Sequence, residues 1–295
     1  MTNQRVGLIG ARSLVGKYLI PLLQKNNLEI TAFSRRKEIV ESESSQIGFK
    51  WKLFEPKTVT KISTEEKIST WICMAPIWAL SEIFQVLEDY DVKRIVVLSS
   101  TSLFTKEKST NASEQNISTQ ITSGEESLRS WAESKGIEWV VLRPTLIYDG
   151  GLDKNISEIV RFIRLFGFFP VFGKANGLRQ PIYAGDVAAA CVAALQAKKA
   201  TNKAYNISGS EVLSYRKMVQ RIFIALEIKP RVLTVPLWFF SFAVSILHLL
   251  PRYRKWTTAM AERMNIDMIF DHSDASKDLD FSPRPFELAL KDFSK

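Results

Sequence analysis

Apolar residues recur along this chain in two alternating patterns. The run at residues 5–9, with Val6, Leu8 and Ile9, reads as a strand, and Leu14, Val15, Tyr18, Leu19, Leu22 and Leu23 then follow helical spacing. Residues 28–33 repeat the first pattern. Residues 69–74 and 94–99 are short apolar runs of the kind buried on both faces of a parallel sheet, separated by a helical stretch at 79–90. A further helix is expected at 125–135 and a further strand at 138–142. Strands alternating with helices in this order predict an α/β protein with a doubly wound parallel sheet, in which ligands bind beyond the carboxyl ends of the strands.

The first strand-to-helix turn carries the most specific chemistry. Gly10 would supply the tight turn out of the strand, Ser13 stands where a second glycine usually allows close approach to phosphate, and Gly16 would let the helix pack tightly on the strand. Unpaired N–H groups at the helix start then face an anion. This Rossmann-type pattern predicts a dinucleotide site built on Gly7, Gly10, Arg12, Ser13, Leu14, Val15 and Gly16. An ordinary glycine-containing turn is the alternative.

The second strand runs into Ser34-Arg35-Arg36-Lys37, with no acid until Glu38. A carboxylate at this position suits the ribose hydroxyls of NAD, whereas arginine can fork two donors onto a 2′-phosphate. Ser34, Arg35 and Arg36, with Arg12, are therefore expected to prefer NADP, NAD remaining possible; a solvated basic turn is the plainer reading. Three further strand ends converge on the same cleft: Ala75-Pro76-Ile77, Ser99 to Ser102, and Arg143 to Tyr148. Of these, Ala75, Pro76, Ser99, Pro144, Thr145 and Leu146 are expected to touch cofactor.

Composition narrows the classes. At 295 residues, 46% hydrophobic and 24% charged, the chain can bury a core and shows no sign of disorder. Only Cys73 and Cys191 are present, which argues against a zinc motif or a disulfide framework and for a reducing compartment, and two histidines make a metal site improbable. Residues 1–5 lead directly into the first strand rather than into a signal peptide, so a cytoplasmic protein is expected. The net charge of +9, from 40 basic and 31 acidic residues, suits a phosphate-rich substrate or an anionic membrane surface; no nucleic-acid motif accompanies it.

Four ordered motifs carry a family resemblance. Gly10 to Gly16, the stretch from Val96 to Ser102, the stretch from Trp139 to Tyr148, and the stretch from Arg179 to Ala188 resemble the extended and atypical short-chain dehydrogenase/reductases, the NAD-dependent epimerase/dehydratase group. Residues 273–286 are similar to that group's carboxyl-terminal signature. The resemblance implies a Rossmann core at 1–150 and a smaller substrate lobe at 151–295, with segments returning to the core. It also implies an activated sugar as substrate, nucleotide-linked or lipid-linked. Arg143, Tyr148, Arg179 and Asp186 would then be substrate-binding, Arg179 against phosphate; Asp186 could instead cap the helix at 187–196.

The resemblance breaks at the chemistry. That group's catalytic pair is Tyr-x-x-x-Lys, in which tyrosine transfers the proton and lysine lowers its pKa. Counting back from Glu125 and Leu128, the matching positions are Ile117 and Ile121, and no tyrosine occurs between Asp91 and Ile147. Isoleucine cannot exchange a proton. Ser99, Ser100, Thr101, Lys106 and Tyr148 are the candidate substitutes, Lys106 as an acid if burial lowers its pKa, although a solvated loop lysine reads as well. Tyr148 is expected to line the cleft rather than transfer the proton.

Residues 232–250 carry no charge and are followed by Arg252, Arg254 and Lys255. Pro236 shortens any helix there to below the ~20 residues of a membrane span. An interfacial helix, with Trp238, Phe239, Phe240 and Phe242, competes with burial in the core, and residues 161–169 offer a second basic, aromatic stretch. Three functions follow as expectations: an NADP-dependent oxidoreductase or epimerase, a non-catalytic NADPH-binding structural or sensor module, or a membrane-peripheral protein of envelope glycan or lipid assembly.

Overall fold

The computed structural model describes residues 4–42, 48–54, 66–107, 109, 111–236 and 258–293. The first half supplies strands β1 (Arg5–Ile9), β2 (Glu29–Ser34), β3 (Phe49–Leu53), β4 (Thr70–Cys73), β5 (Arg94–Leu98) and β6 (Glu138–Pro144). The second half adds β7 (Ile147–Tyr148), β8 (Phe169–Phe172), β9 (Leu178–Arg179), β10 (Ile182–Tyr183), β11 (Lys203–Ile207), β12 (Leu213–Ser214) and β13 (Val232–Val235). Seven of these form one sheet in the order β11-β6-β5-β4-β1-β2-β3, and every neighbouring pair in it is parallel. The expected doubly wound α/β sheet is therefore present. The strand order reverses between β1 and β4, which opens a crevice there at the carboxyl ends.

Helices α1 (Leu14–Lys25), α2 (Lys37–Ser42), α3 (Phe84–Asp89), α4 (Ser102–Lys106), α5 (Ala112–Lys135) and α6 (Ile156–Phe166) follow the strands in turn, with α7 (Ala184–Gln196), α8 (Tyr215–Ala225), α9 (Thr258–Arg263) and α10 (Ser273–Leu279) after them. One face of the sheet is covered by Val15, Leu19 and Leu23 of α1, Ala188, Cys191 and Ala194 of α7, and Leu279 of α10. The other is covered by Leu80, Leu87, Ile121, Leu128 and Ala132. Burial on both faces is why these strands read as continuous apolar runs.

Two helices differ from the sequence reading. The expected helix at 79–90 begins as a 3-10 helix, Ile77–Ile83, before α3. The helix expected at 125–135 starts at Ala112, where Asn111 Oδ1 accepts the Ser113 N–H at 2.9 Å, and it ends at Gly136 with φ of 65°. Its first half is polar, so Ser118 and Ile121 are the only early members of the buried stripe that continues through Glu125 and Leu128.

Gly7 was expected to touch a cofactor, and the structure corrects this. It lies inside β1 opposite Trp71 of β4, and a Cβ there would sit 2.3 Å from the indole ring. The missing side chain makes room for a fully buried tryptophan, which also packs on Phe33 and Tyr90.

The second half builds its own apolar cluster from Ile159 and Ile163 of α6, Val171 of β8, Met218, Ile222 and Phe223 of α8, and Phe286. Val232 to Val235, the start of the long uncharged run, form a parallel strand against Phe169 to Phe172 rather than part of a helix. The rest of that run, including Trp238, Phe239, Phe240 and Phe242, lies outside the described residues. Among the described residues no helix is long and apolar enough to cross a membrane.

Gly7→Ala is expected to destabilise the protein by about 1–3 kcal/mol through overpacking. In a Trp71→Leu background the same substitution should cost clearly less, a coupling that denaturant titration of the four proteins reads directly.

Candidate functional site

The crevice between β1 and β4 is formed by main chain approaching main chain. Gly10 has φ of 79°, and a Cβ on it would lie 2.9 Å from the Ala75 nitrogen; a Cβ on Gly16 would lie 2.1 Å from the Ala11 carbonyl oxygen. Ser13 caps α1, its Oγ accepting the Gly16 N–H at 3.1 Å and facing Met74 Sδ at 3.6 Å. Its side chain thus completes the helix start instead of occupying the crevice. The N–H groups of Leu14 and Val15 sit at the first helical positions, where no preceding intrahelical carbonyl serves them. A cradle of glycine main chain with amides at a helix N-terminus fits a pyrophosphate.

At the end of β2, Ser34 Oγ accepts the Arg36 N–H at 3.1 Å and fixes the turn. Arg35 and Arg36 are exposed, as is Arg12 on the loop before α1. Arg35 lies 3.8 Å from Glu82 across the crevice, and both side chains are solvent-exposed, so the pair holds the guanidinium only weakly. Ser34, not a carboxylate, terminates the strand.

The ends of β5 and β6 meet above α5. Arg143 and Glu125 form a bidentate ion pair, with Arg143 Nε 2.9 Å and 3.1 Å from the two carboxylate oxygens, and Ser99 Oγ donates to the same carboxylate at 2.5 Å. The guanidinium also lies 5.4 Å from the Phe104 ring. Arg143, expected at a substrate, is thus tied to Glu125, a residue that the sequence reading used only as a counting mark. An acid inside the buried stripe of α5 was the available signal, because such a charge demands a partner.

The candidate proton donors are distributed as follows. Thr101 is buried and its hydroxyl donates to the Pro144 carbonyl at 3.1 Å, so it does not face the cleft as expected. Ser100 accepts the Ser102 N–H and stays half-buried. Ile121 is buried in the core and Ile117 packs against it, so the two positions of the resemblance are apolar in space as well as in type. Lys106 is half-buried beside the Arg263–Glu114 ion pair; burial, then the Arg263 cation, holds its amine below the usual lysine range, with Glu114 opposing. Thr145 and Leu146 are held by main-chain bonds to Ile207 and Ile182.

Three of the four expected substrate residues serve the packing of the carboxyl-terminal segment instead. Tyr148 is 1% exposed; its hydroxyl donates to the Pro285 carbonyl and accepts the Glu287 N–H, both at 3.3 Å, and its ring packs on Phe286. Asp186 does not cap α7 but accepts the Arg284 N–H and its guanidinium, each at 2.9 Å. Arg179 is buried, donates to the carbonyls of Leu178, Ile266 and Arg263, and lies against Tyr215; burial lowers its pKa to about 10. Its partners in the structure are main-chain carbonyls. Asp149, which no reading singled out, lies 3.7 Å from Lys17 of α1 and accepts three successive N–H groups, Gly151 to Asp153, anchoring the next loop to the cradle.

This architecture is shared with known proteins. Residues 79–208 match the NAD dependent epimerase/dehydratase family. Within the matched stretch fall α5, β5, β6, Glu125 and Arg143. The chain is 24% identical over 159 residues to a UDP-glucose 4-epimerase of Vibrio cholerae, 51% of this chain and 48% of that protein. It is 29% identical over 100 residues to NADH dehydrogenase (ubiquinone) 1 alpha subcomplex subunit 9, mitochondrial, of Arabidopsis thaliana, 34% of this chain and 25% of that one. The chain thus spans about half or less of these curated relatives. Among solved structures, MoeE5 in complex with UDP-glucose and NAD superposes with a TM-score of 0.69, at 16% identity, over 96% of this chain and 94% of that chain. The likeness to this family's structures is one of fold.

Glu125→Gln should destabilise the protein by about 3 kcal/mol, because it strands the Arg143 guanidinium, while the double replacement Glu125→Leu with Arg143→Met should cost less. Denaturant midpoints of the three variants test this. Burial pushes the Tyr148 hydroxyl up to about 12, above its unfolded value of about 10. The folded state therefore keeps this proton longer, and its contribution, intact below about pH 10, is lost as pH rises toward 12. Tyr148→Phe should flatten the alkaline fall in stability, and Tyr215, also pushed up to about 12, should keep part of it.

Proposed function

We propose that this chain is a nicotinamide dinucleotide-binding protein of the epimerase/dehydratase type that prefers NADP and does not run that family's usual proton transfer. The observation that carries this reading is the pairing of a fitted pyrophosphate cradle with an apolar proton-transfer site. Gly10 and Gly16 leave room for phosphate at the main chain, while Ile117 and Ile121, which the count back from Glu125 and Leu128 would put at the tyrosine and lysine positions, pack in the apolar core. The hydroxyls of Ser99, Thr101 and Tyr148 all donate to protein acceptors. Gly10 to Gly16 would hold the pyrophosphate, Arg35 with Arg12 or Arg36 the 2′-phosphate, and Ala75, Pro76, Ser99, Pro144, Thr145 and Leu146 would border the rest. A nicotinamide bound there could supply hydride transfer, but on this reading the protein would only hold and orient it, with no positioned proton donor among the described residues to complete a turnover.

A second reading is favoured by the half-buried place of Lys106 beside the Arg263–Glu114 ion pair, where burial and the Arg263 cation hold its amine below the usual lysine range. An amine of that kind can donate a proton to a substrate oxygen, and the chain would then act on a nucleotide-linked or lipid-linked sugar. UDP-glucose, bound by MoeE5 and named in the Vibrio cholerae relative, is the first substrate to try.

One set of measurements separates the two. Fluorescence titration should show saturable NADPH binding, and incubation with NADP or NAD and UDP-glucose should change neither nicotinamide absorbance nor the sugar. Turnover that Lys106→Met abolishes would favour the second reading, and absence of any coenzyme binding would remove both. Arg35→Ala should weaken NADPH by about tenfold or more and leave NADH little changed; equal losses would end the case for a 2′-phosphate clamp. Gly16→Val should abolish coenzyme binding by lifting α1 off β1.

A further inference from the structure

The outer face of the second lobe presents an apolar, aromatic surface ringed by cations. Helix α6 turns Ile156, Ile159 and Ile163 inward, yet Leu165 remains 68% exposed and Phe166 46% exposed at its end. Phe162, Phe166 and Phe168 cluster there, with ring centroids 4.5 to 6.2 Å apart, and Phe162 continues the cluster to Phe169 of β8 at 5.5 Å. Strand β13 extends the same face. The Phe169 N–H donates to the Arg231 carbonyl at 2.9 Å, and Leu233, opposite Pro170, is 51% exposed.

Charge says what such a surface suits. Arg161, Arg164, Lys229 and Arg231 are all exposed around it. Arg161 pairs with Glu158 at the helix start, and beyond that glutamate the sequence has no acid until Asp186. It has none between Glu227 and Glu262 either. Aromatic and aliphatic side chains flanked by arginine and lysine, with acids excluded over two separate segments, complement an anionic headgroup layer above acyl chains. An acidic protein partner would match the cations but not the exposed Leu165, Phe166 and Leu233 side chains. The chain also runs from Val235 into residues 237–250, which carry no charge, and then to Arg252, Arg254 and Lys255.

We infer that this face, Leu165, Phe166, Phe168 and Leu233 with Arg164 and Arg231, docks the protein peripherally on an anionic lipid surface. The inference is independent of whether the chain turns a substrate over.

Sedimentation of the full chain with vesicles tests it. Binding to phosphatidylcholine vesicles containing ~30 mol% phosphatidylglycerol should exceed binding to pure phosphatidylcholine by about tenfold or more, and should weaken with salt. Leu165→Asp with Phe166→Asp should reduce binding to background, and Lys229→Glu with Arg231→Glu should remove the preference for anionic lipid. Both pairs are exposed, so melting temperature and NADPH binding should stay as in the parent protein. Absence of vesicle binding by the parent chain would overturn the inference, as would undiminished binding by the aspartate variant. A marked fall in that variant's melting temperature would overturn it too, because the face would then be covered by the chain's own residues.

Discussion

Everything at the carboxyl edge of the sheet depends on how closely α1 approaches β1. A side chain at Gly16 would meet the Ala11 carbonyl at 2.1 Å, so the helix can start this close to the turn that leaves β1 only because that position is bare. This contact aims the helix N-terminus into the gap where the strand order reverses. Ser13 completes the geometry from the other side, holding the Gly16 amide and leaving the amides before it to a ligand. A helix dipole, unsatisfied N–H groups and a glycine turn then act at one point, which none of them could define alone.

Charged residues around that point mostly stabilise the fold rather than meet solvent. Arg143 is matched by Glu125, Asp186 by Arg284 and Asp149 by three amides, while Arg179 is surrounded by carbonyls. Buried ions must be paired or hydrogen-bonded, and here each is. The result is a carboxyl-terminal segment tied down through polar clamps, with Arg284 to Glu287 held by Asp186 on one side and Tyr148 on the other. By contrast Arg12, Arg35 and Arg36, at the crevice, are exposed, and the Arg35 pair with Glu82 is a solvent-exposed one.

The sheet was legible because burial on both faces leaves strands without polar interruptions, as in Ile95 to Leu98. The glycine turn was legible because only glycine satisfies its two close approaches. Gly7 was misread for the same reason: a glycine marks close approach, and sequence does not say whether the neighbour is a phosphate or the Trp71 ring. Tyr148, Arg179 and Asp186 were legible as unusual positions but not in role, since their partners, Pro285, Ile266 and Arg284, lie between 80 and 140 residues away along the chain. The first half of α5 was hidden by its serines, threonines and asparagine, which favour caps and turns over helix interiors when read locally.

Strand β11 has a consequence for how the chain can be divided. It pairs with β6 from Val140 to Pro144, although β7 to β10 and helices α6 and α7 intervene between the two strands along the chain. A fragment ending near residue 150 would bare the backbone edge of β6 beside a row of valine and leucine, a template for intermolecular aggregation. The sheet is therefore complete only when Lys203 to Ile207 is present to pair with β6.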